Sequence, residues 1–395
     1  MTNILARKTQ LHQHRAQFPA LGNKIYFNYG GQGPMPQGAM DAITQAEADT
    51  QQAGPFGNQA YALVAQAKQN LREALACELQ APPETITLTE DVTVGCNIAM
   101  WGIDWRGGDH MLLSDCEHPG VIAISQEIAR RFAVEVTTCP LKETLNTGDP
   151  VTVVAQHLRP NTRLVVLSHV FWNTGQVLPL DKIIEVCRAN NSLVLVDAAQ
   201  SVGLLALNLT TLGADFYAFT GHKWLCGPGG VGGLYVRPEV RDNLQPTFIG
   251  LRGIVVDSQG QRVSWQPDGR RYEVSTSATS LYAGLTGSIA IHQQWGTPQQ
   301  RYEQICDHSE YLWRRLTDLD NIRCLRTSPP QTGIVSFQLS EEKSRGHFQL
   351  VQFLESQRIL TRTIADPDCI RATVHYLTLE AEIDQLIEAL QRFSF

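Results

Sequence analysis

No stretch of the 395-residue sequence stays apolar for the length of a bilayer span, and lysine and arginine gather in no block anywhere along it. The first absence excludes a membrane-crossing helix. The second, with a formal net charge of −7, excludes the footprint of a nucleic-acid binder or a polybasic membrane anchor. The nine cysteines include no C-x-x-C pair, so a zinc knuckle is not expected, and their odd number speaks against a disulfide framework. They read as mostly buried small hydrophobes, and no metal site is expected. The opening MTNILARKTQLHQHRAQF lacks the continuous apolar segment of a secretory signal, so a soluble cytoplasmic protein is the expectation. Repeats and low-complexity tracts are also missing.

What is present is ample apolar content, 43%, which supports a large core, and a length that implies two domains or perhaps a third at roughly 150 residues each. Short β-branched runs at 84–89, 110–114, 134–139, 162–170 and 192–199 are continuous, not alternating, as suits strands buried on both faces of a parallel sheet. Helix-like segments with apolar residues every third or fourth position lie between them, giving βαβ architecture. Two further strands are expected in LGADFYAFTGHKW and GGVGGLYVRP, joined by a glycine-rich turn. Beyond residue 270 the rhythm changes to a long helical run over 281–319, a strand in TGIVSFQL, a helix in QLVQFLESQR and a terminal helix in AEIDQLIEALQRF, a mix suited to a smaller α+β unit. The segment 257–270 reads as an exposed loop.

Three places carry chemistry. Lys223, in TGHKWLCGPGGVGG, sits at a strand end where the chain can turn sharply and present an amine to a crevice. An amine that forms an imine needs a lowered pKa. By itself the fragment fits a surface lysine in a glycine turn equally well. Asp197 closes the run LVLV, so its carboxylate emerges at the edge where open α/β sheets bind ligands; a helix N-cap is the competing use. TEDVTVGCNIAM opens a helix with Asp91 or Thr93 as cap, and its free amides suit a phosphate, although ordinary capping accounts for it as well. The glycine-rich GPGGVGG lies between two strands, not between a strand and a helix, so it is not a dinucleotide fingerprint.

The ordered set NYGGQGPMP, TEDVTVGCN, SDCEHPG, SHVFWNTG, VDAAQS and TGHKWLCGPGGVG resembles the class V aminotransferase family, fold type I enzymes that include cysteine desulfurases and cystine C–S lyases. The resemblance runs from about residue 20 to the terminal helix. It implies an α/β fold with a mostly parallel seven-stranded sheet in a large domain, 20–265, and a smaller α+β domain formed by 1–19 and 266–395. The implied cofactor is pyridoxal 5′-phosphate, held as a Schiff base on Lys223, which would also move the Cα proton. Asp197 would bind the pyridine nitrogen, Gln200 and Asn173 would lie near the phenolic oxygen, and His118 would stack on the ring. Val92, Thr93, Thr220 and His222 would hold the phosphate, together with Thr276 from a neighbouring subunit, which implies a homodimer with shared active sites. Arg371 would pair with the substrate carboxylate, and Arg362 would stand at the site entrance.

Desulfurases of this family carry a mobile loop with a nucleophilic cysteine in this region. Here Arg362 and Arg371 are nine positions apart, too close for such a loop, and Cys369 is expected in a strand as a buried structural thiol. The expectation is therefore a C–S lyase that eliminates the β-sulfur of cystine or cysteine. From cystine it would give pyruvate, ammonia and cysteine persulfide, a possible sulfur source for iron–sulfur cluster assembly. The alternatives are a cysteine desulfurase or selenocysteine lyase giving alanine, an epimerase or aminotransferase of the same family, and a non-catalytic scaffold. The presence of Lys223 and Asp197 argues against the scaffold, and a purified protein without yellow absorbance would argue for it.

Overall fold

The structure, a computed structural model, describes residues 10–340 and 346–393. Residues 1–9, expected in the smaller domain, and 341–345 and 394–395 lie outside the described residues. After a two-residue strand β1 (Ile25–Tyr26) come β2 (Ile86–Thr89), β3 (His110–Ser114), β4 (Glu135–Cys139), β5 (Thr162–Ser168), β6 (Leu193–Asp197), β7 (Phe216–Thr220) and β8 (Gly232–Val236). Strands β2 to β8 form one seven-stranded sheet in the order β2-β8-β7-β6-β5-β3-β4. All its pairings are parallel except those of β8, which runs antiparallel to both neighbours, so the expected mostly parallel sheet is present.

The continuous apolar runs are explained by where alternate side chains go. In β5, Val165 and Leu167 enter one core while Leu164 and Val166 enter another; in β6, Val194 and Val196 oppose Leu195 in the same way. Helices Asn58–Leu79, Pro150–His157 and Leu180–Ala189 cover the first face, and Val92–Trp101 and Pro119–Phe132 cover the second. Full burial of each such Val or Leu contributes roughly 1.5–3 kcal/mol. Chain winding reverses between β3 and β5, since β4 lies outside β3 while β6 and β7 follow on the far side of β5. An open α/β sheet leaves a crevice beyond its strand ends at such a reversal.

The C-terminal part begins with an exposed hairpin, β9 (Ile254–Val256) and β10 (Arg262–Trp265), so the segment expected as an exposed loop is exposed but partly paired. Next come β11 (Ile322–Cys324), β12 (Ile334–Leu339), β13 (Ile359–Leu360), β14 (Arg362–Ala365) and β15 (Asp368–Thr373). An antiparallel sheet β11-β12-β15-β14 shares a core with helices Pro298–Thr317, Gly346–Ser356 and Glu380–Arg392. β1 pairs with β13 in parallel. The helical run expected over 281–319 is two helices, Thr279–Trp295 and Pro298–Thr317. Pro298 cannot continue a helix but suits a first turn, and Thr297 and Gln300 form a reciprocal capping box that starts the second one.

Candidate active site

Four parallel strands finish on a polar residue at one edge: Ser114 on β3, Ser168 on β5, Asp197 on β6 and Thr220 on β7, all buried. Ser168 and Asp197 are register partners. The Asp197 carboxylate accepts from the Ala199 amide at 2.9 Å, closing a local turn and not a helix cap. Burial raises its pKa, against the Ala199 hydrogen bond and the charges of Lys223 and His118.

Lys223 lies three positions past the end of β7 and is part-buried. Desolvation brings its pKa down to about 8, aided by Arg371 and Arg362 and opposed by Asp197 and Asp91. The charges of the strand-end lysine and the strand-end aspartate thus act on each other. An amine with this pKa has roughly a tenth of its population unprotonated at pH 7, far more than an ordinary lysine, and the unprotonated form is the nucleophile.

The phosphate-binding candidates also converge. Asp91 caps the helix Val92–Trp101 by accepting from the Val94 amide at 2.9 Å, while no acceptor is found for the Val92 and Thr93 amides among the described residues. Asp91 packs beside Gly232, the register partner of Thr220. The Thr220 hydroxyl and His222 Nδ1 are 2.6 Å apart. Thr93 reaches Gly120, next to His118 and Pro119 at the start of the helix Pro119–Phe132. His118 is exposed, but the protein around its ring still lowers its pKa by desolvation. Its ring meets Trp172 edge-on at 6.2 Å.

Gln200 donates to the Gly30 carbonyl and accepts from the Trp224 indole, each at 2.9 Å. Asn173 donates to the Asp366 carbonyl at 2.9 Å and leaves its buried Oδ1 without a partner. Arg371 is 2% exposed, donates to the Trp172 carbonyl at 2.8 Å and has an unpartnered Nε. Among the described residues it forms no ion pair, and burial brings its pKa down to about 10. Arg362 lies opposite it on β14 and is exposed. Thr276 is exposed in the segment before Thr279–Trp295 and has no hydrogen-bond partner among the described residues.

Sequence reasoning missed Glu117. It is buried, accepts from the Ser114 hydroxyl and from the amide and hydroxyl of Ser168, both at 2.8 Å, and so bridges β3 and β5 at the winding reversal. Burial and the Asp197 charge push its pKa up to about 8. Its place before His118 in EHPG was the only signal. Gly30 was missed too: a Cβ there would lie 3.1 Å from the Arg371 guanidinium carbon, so its lack of a side chain is what lets the arginine pass.

These residues suit pyridoxal 5′-phosphate: an amine to attach the aldehyde, a buried carboxylate for the pyridine nitrogen, and helix-terminal amides for the phosphate. Residues 25–395 match the family model described as Aminotransferase class-V. A solved structure described as the cystine C–S lyase C-DES with its reaction product cysteine persulfide superposes with a TM-score of 0.93 at 50% identity, covering 96% of this chain and 100% of that one. A second C-DES structure, of a lysine-to-alanine variant with glycine covalently linked to its PLP cofactor, gives 0.94 at the same identity, covering 96% and 99%. Among curated proteins, the isopenicillin N epimerase of Streptomyces clavuligerus is 29% identical, covering 93% of this chain and 94% of its own length. A cysteine desulfurase of Klebsiella pneumoniae is 27% identical, covering 97% and 98%.

Proposed function

Because the chain belongs to the class V aminotransferase family, whose members work through pyridoxal 5′-phosphate, we propose that it is a carbon–sulfur lyase that eliminates the β-sulfur of cystine. Water and cystine are consumed, and pyruvate, ammonia and cysteine persulfide are released; from cysteine the sulfur leaves as sulfide. The observation that carries this reading is the β14–β15 hairpin. It turns in two residues, Asp366 and Pro367, and keeps Cys369 buried with its thiol pushed up to about 12, so this hairpin offers no mobile thiolate to take the sulfur. The likeness to C-DES supports it independently.

In this reading Lys223 would hold the cofactor through its aldehyde and would also move the proton at the substrate Cα. Asp197 would bond the pyridine nitrogen and favour its protonated form. The cofactor supplies the electron sink for the charge left on Cα. His118 would lie against its ring, and Gln200 and Asn173 would hold its oxygen. Val92, Thr93, Thr220 and His222 grip the phosphate, and burial of Arg371 without a counter-ion prepares it for the substrate carboxylate, which its guanidinium matches bidentately. Arg362 receives the substrate at the mouth. Thr276 serves the phosphate of a second copy, so the working unit is a homodimer, and the released persulfide is a sulfur source for iron–sulfur cluster assembly.

The test is incubation of the pure yellow protein with cystine and with cysteine, followed by assay of pyruvate and alanine. Pyruvate with persulfide is expected from cystine, and Lys223→Ala should lose both the visible absorbance and the activity. Stoichiometric alanine with sulfur on Cys369 would replace this reading with a desulfurase.

A further inference from the structure

The turn that bears Lys223 lies in no helix or strand, yet its carbonyls are capped one by one. The His222 carbonyl accepts from the Gly33 amide at 2.8 Å and the Lys223 carbonyl from the Cys226 amide at 3.0 Å. The Trp224 carbonyl accepts from His375 Nε2 at 3.1 Å. The Leu225 carbonyl accepts from His292 Nε2 at 2.9 Å and from the Ser288 hydroxyl at 2.6 Å. Thus two imidazoles hold the two carbonyls that follow the lysine.

The hydrogens of this network run in one direction. A carbonyl only accepts, so His292 carries its proton on Nε2, and with its pKa well lowered by burial its Nδ1 is a bare acceptor. That Nδ1 is 2.6 Å from the Tyr376 hydroxyl, which must donate to it. The Tyr376 oxygen in turn accepts from His14 Nε2 at 3.1 Å, and His14 Nδ1 accepts from the Gln17 amide at 3.2 Å. His375 is likewise neutral, held down to about 3 by burial, and its Nδ1 has no partner. An apolar side chain in its place would leave the buried Trp224 carbonyl without this donor, which costs the desolvation of an unsatisfied acceptor.

We infer that His292 and His375 are positioning residues for Lys223. They fix the lysine turn through the Leu225 and Trp224 carbonyls, while Tyr376, His14 and Gln17 lock His292 in the tautomer that donates. His375 and Tyr376 continue the chain just past β15, the strand of Arg371, so the relay also ties the lysine turn to the strand that carries that arginine. The inference rests on the proposed attachment of the cofactor to Lys223.

The test uses purified holoenzyme. Tyr376→Phe removes one oxygen and keeps the ring stacked on Trp295 at 5.7 Å; His292→Leu removes the donor; His292→Gln returns an N–H to the Nε2 position. The first two should move the pH midpoint of the lysine-bound cofactor's visible absorbance by about half a unit, roughly threefold in the protonation equilibrium, and lower kcat with KM unchanged. His292→Gln should recover the wild-type midpoint. Variants that keep both midpoint and kcat and lose only melting temperature would reduce the relay to packing and overturn the inference. If borohydride fails to fix the cofactor on Lys223 in the wild type, the underlying reading falls first and the inference with it.

Discussion

Arg362 and Arg371 occupy directly opposed register positions on β14 and β15. Their like charges lower the pKa of Arg371 beyond what burial does, which primes the pair for an anion. The same pairing fixes the hairpin end. Lys142 bonds the Asp366 carboxylate at 2.9 and 3.0 Å, and Asn173 holds the Asp366 carbonyl, so the tip is fastened to the large sheet's edge loops.

Cys369 faces Ile364 across that hairpin and is fully buried. Cys369→Ala should leave the pyruvate-forming rate within about twofold, with a stability loss on the order of 1 kcal/mol for the small void. Product analysis of the variant on cystine checks this. A collapse of turnover would mean that the thiol takes part in the chemistry.

Arg371→Lys keeps a charge but loses the planar fork. Loss of a charge-assisted bidentate pair, about 1.5–3 kcal/mol, should lower kcat/KM by roughly 10- to 100-fold, mostly through KM. Arg362→Lys, at an exposed position, should cost less. Steady-state kinetics with cystine measure both, and equal losses would contradict the division of roles.

Strand positions were legible because burial on both faces leaves an uninterrupted apolar run, and Lys223 and Asp197 were legible because each punctuates a strand end. Glu117 was not, since its partner Ser168 lies fifty-one positions away and meets it only where β3 and β5 become neighbours. The same holds for His375, which gains meaning only when folding sets it on the Trp224 carbonyl. The helix break at Pro298 was legible but overlooked: Gly296, Thr297 and Pro298 interrupt the apolar pattern and carry the stop, cap and first-turn residues, with Gln300 completing the capping box.

Glu117 gives a pH dependence of known sign. Its folded pKa, about 8, lies above the ordinary carboxylate value, so the protonated group's contribution is complete below about pH 4.5 and is lost as pH rises through 8. Thermal unfolding of the wild type should show this declining limb, and Glu117→Gln, neutral throughout, should flatten it. Parallel curves for the two proteins would show that Glu117 is already ionised in the folded state.

The proposed homodimer makes the last prediction. Phe248, Ile249 and Leu251 are 52%, 62% and 67% exposed, an apolar strip with no cover in the isolated chain. The Leu251 amide bonds the Ser275 hydroxyl at 2.9 Å, so the strip is fastened to the segment that carries Thr276. If a second copy covers the strip, Thr276 is delivered to that copy's phosphate. Leu251→Asp places a charge at a site where an isolated chain tolerates it, yet in a dimer it buries an unpaired carboxylate. Sedimentation should therefore show wild type at twice the chain mass and the variant at one. The monomer should also bind cofactor roughly 10- to 100-fold more weakly, the worth of one charge-assisted hydrogen bond to phosphate. A monomeric Leu251→Asp with wild-type cofactor affinity would show that Thr276 serves no neighbouring site, because nothing else in the substitution touches the crevice of its own chain.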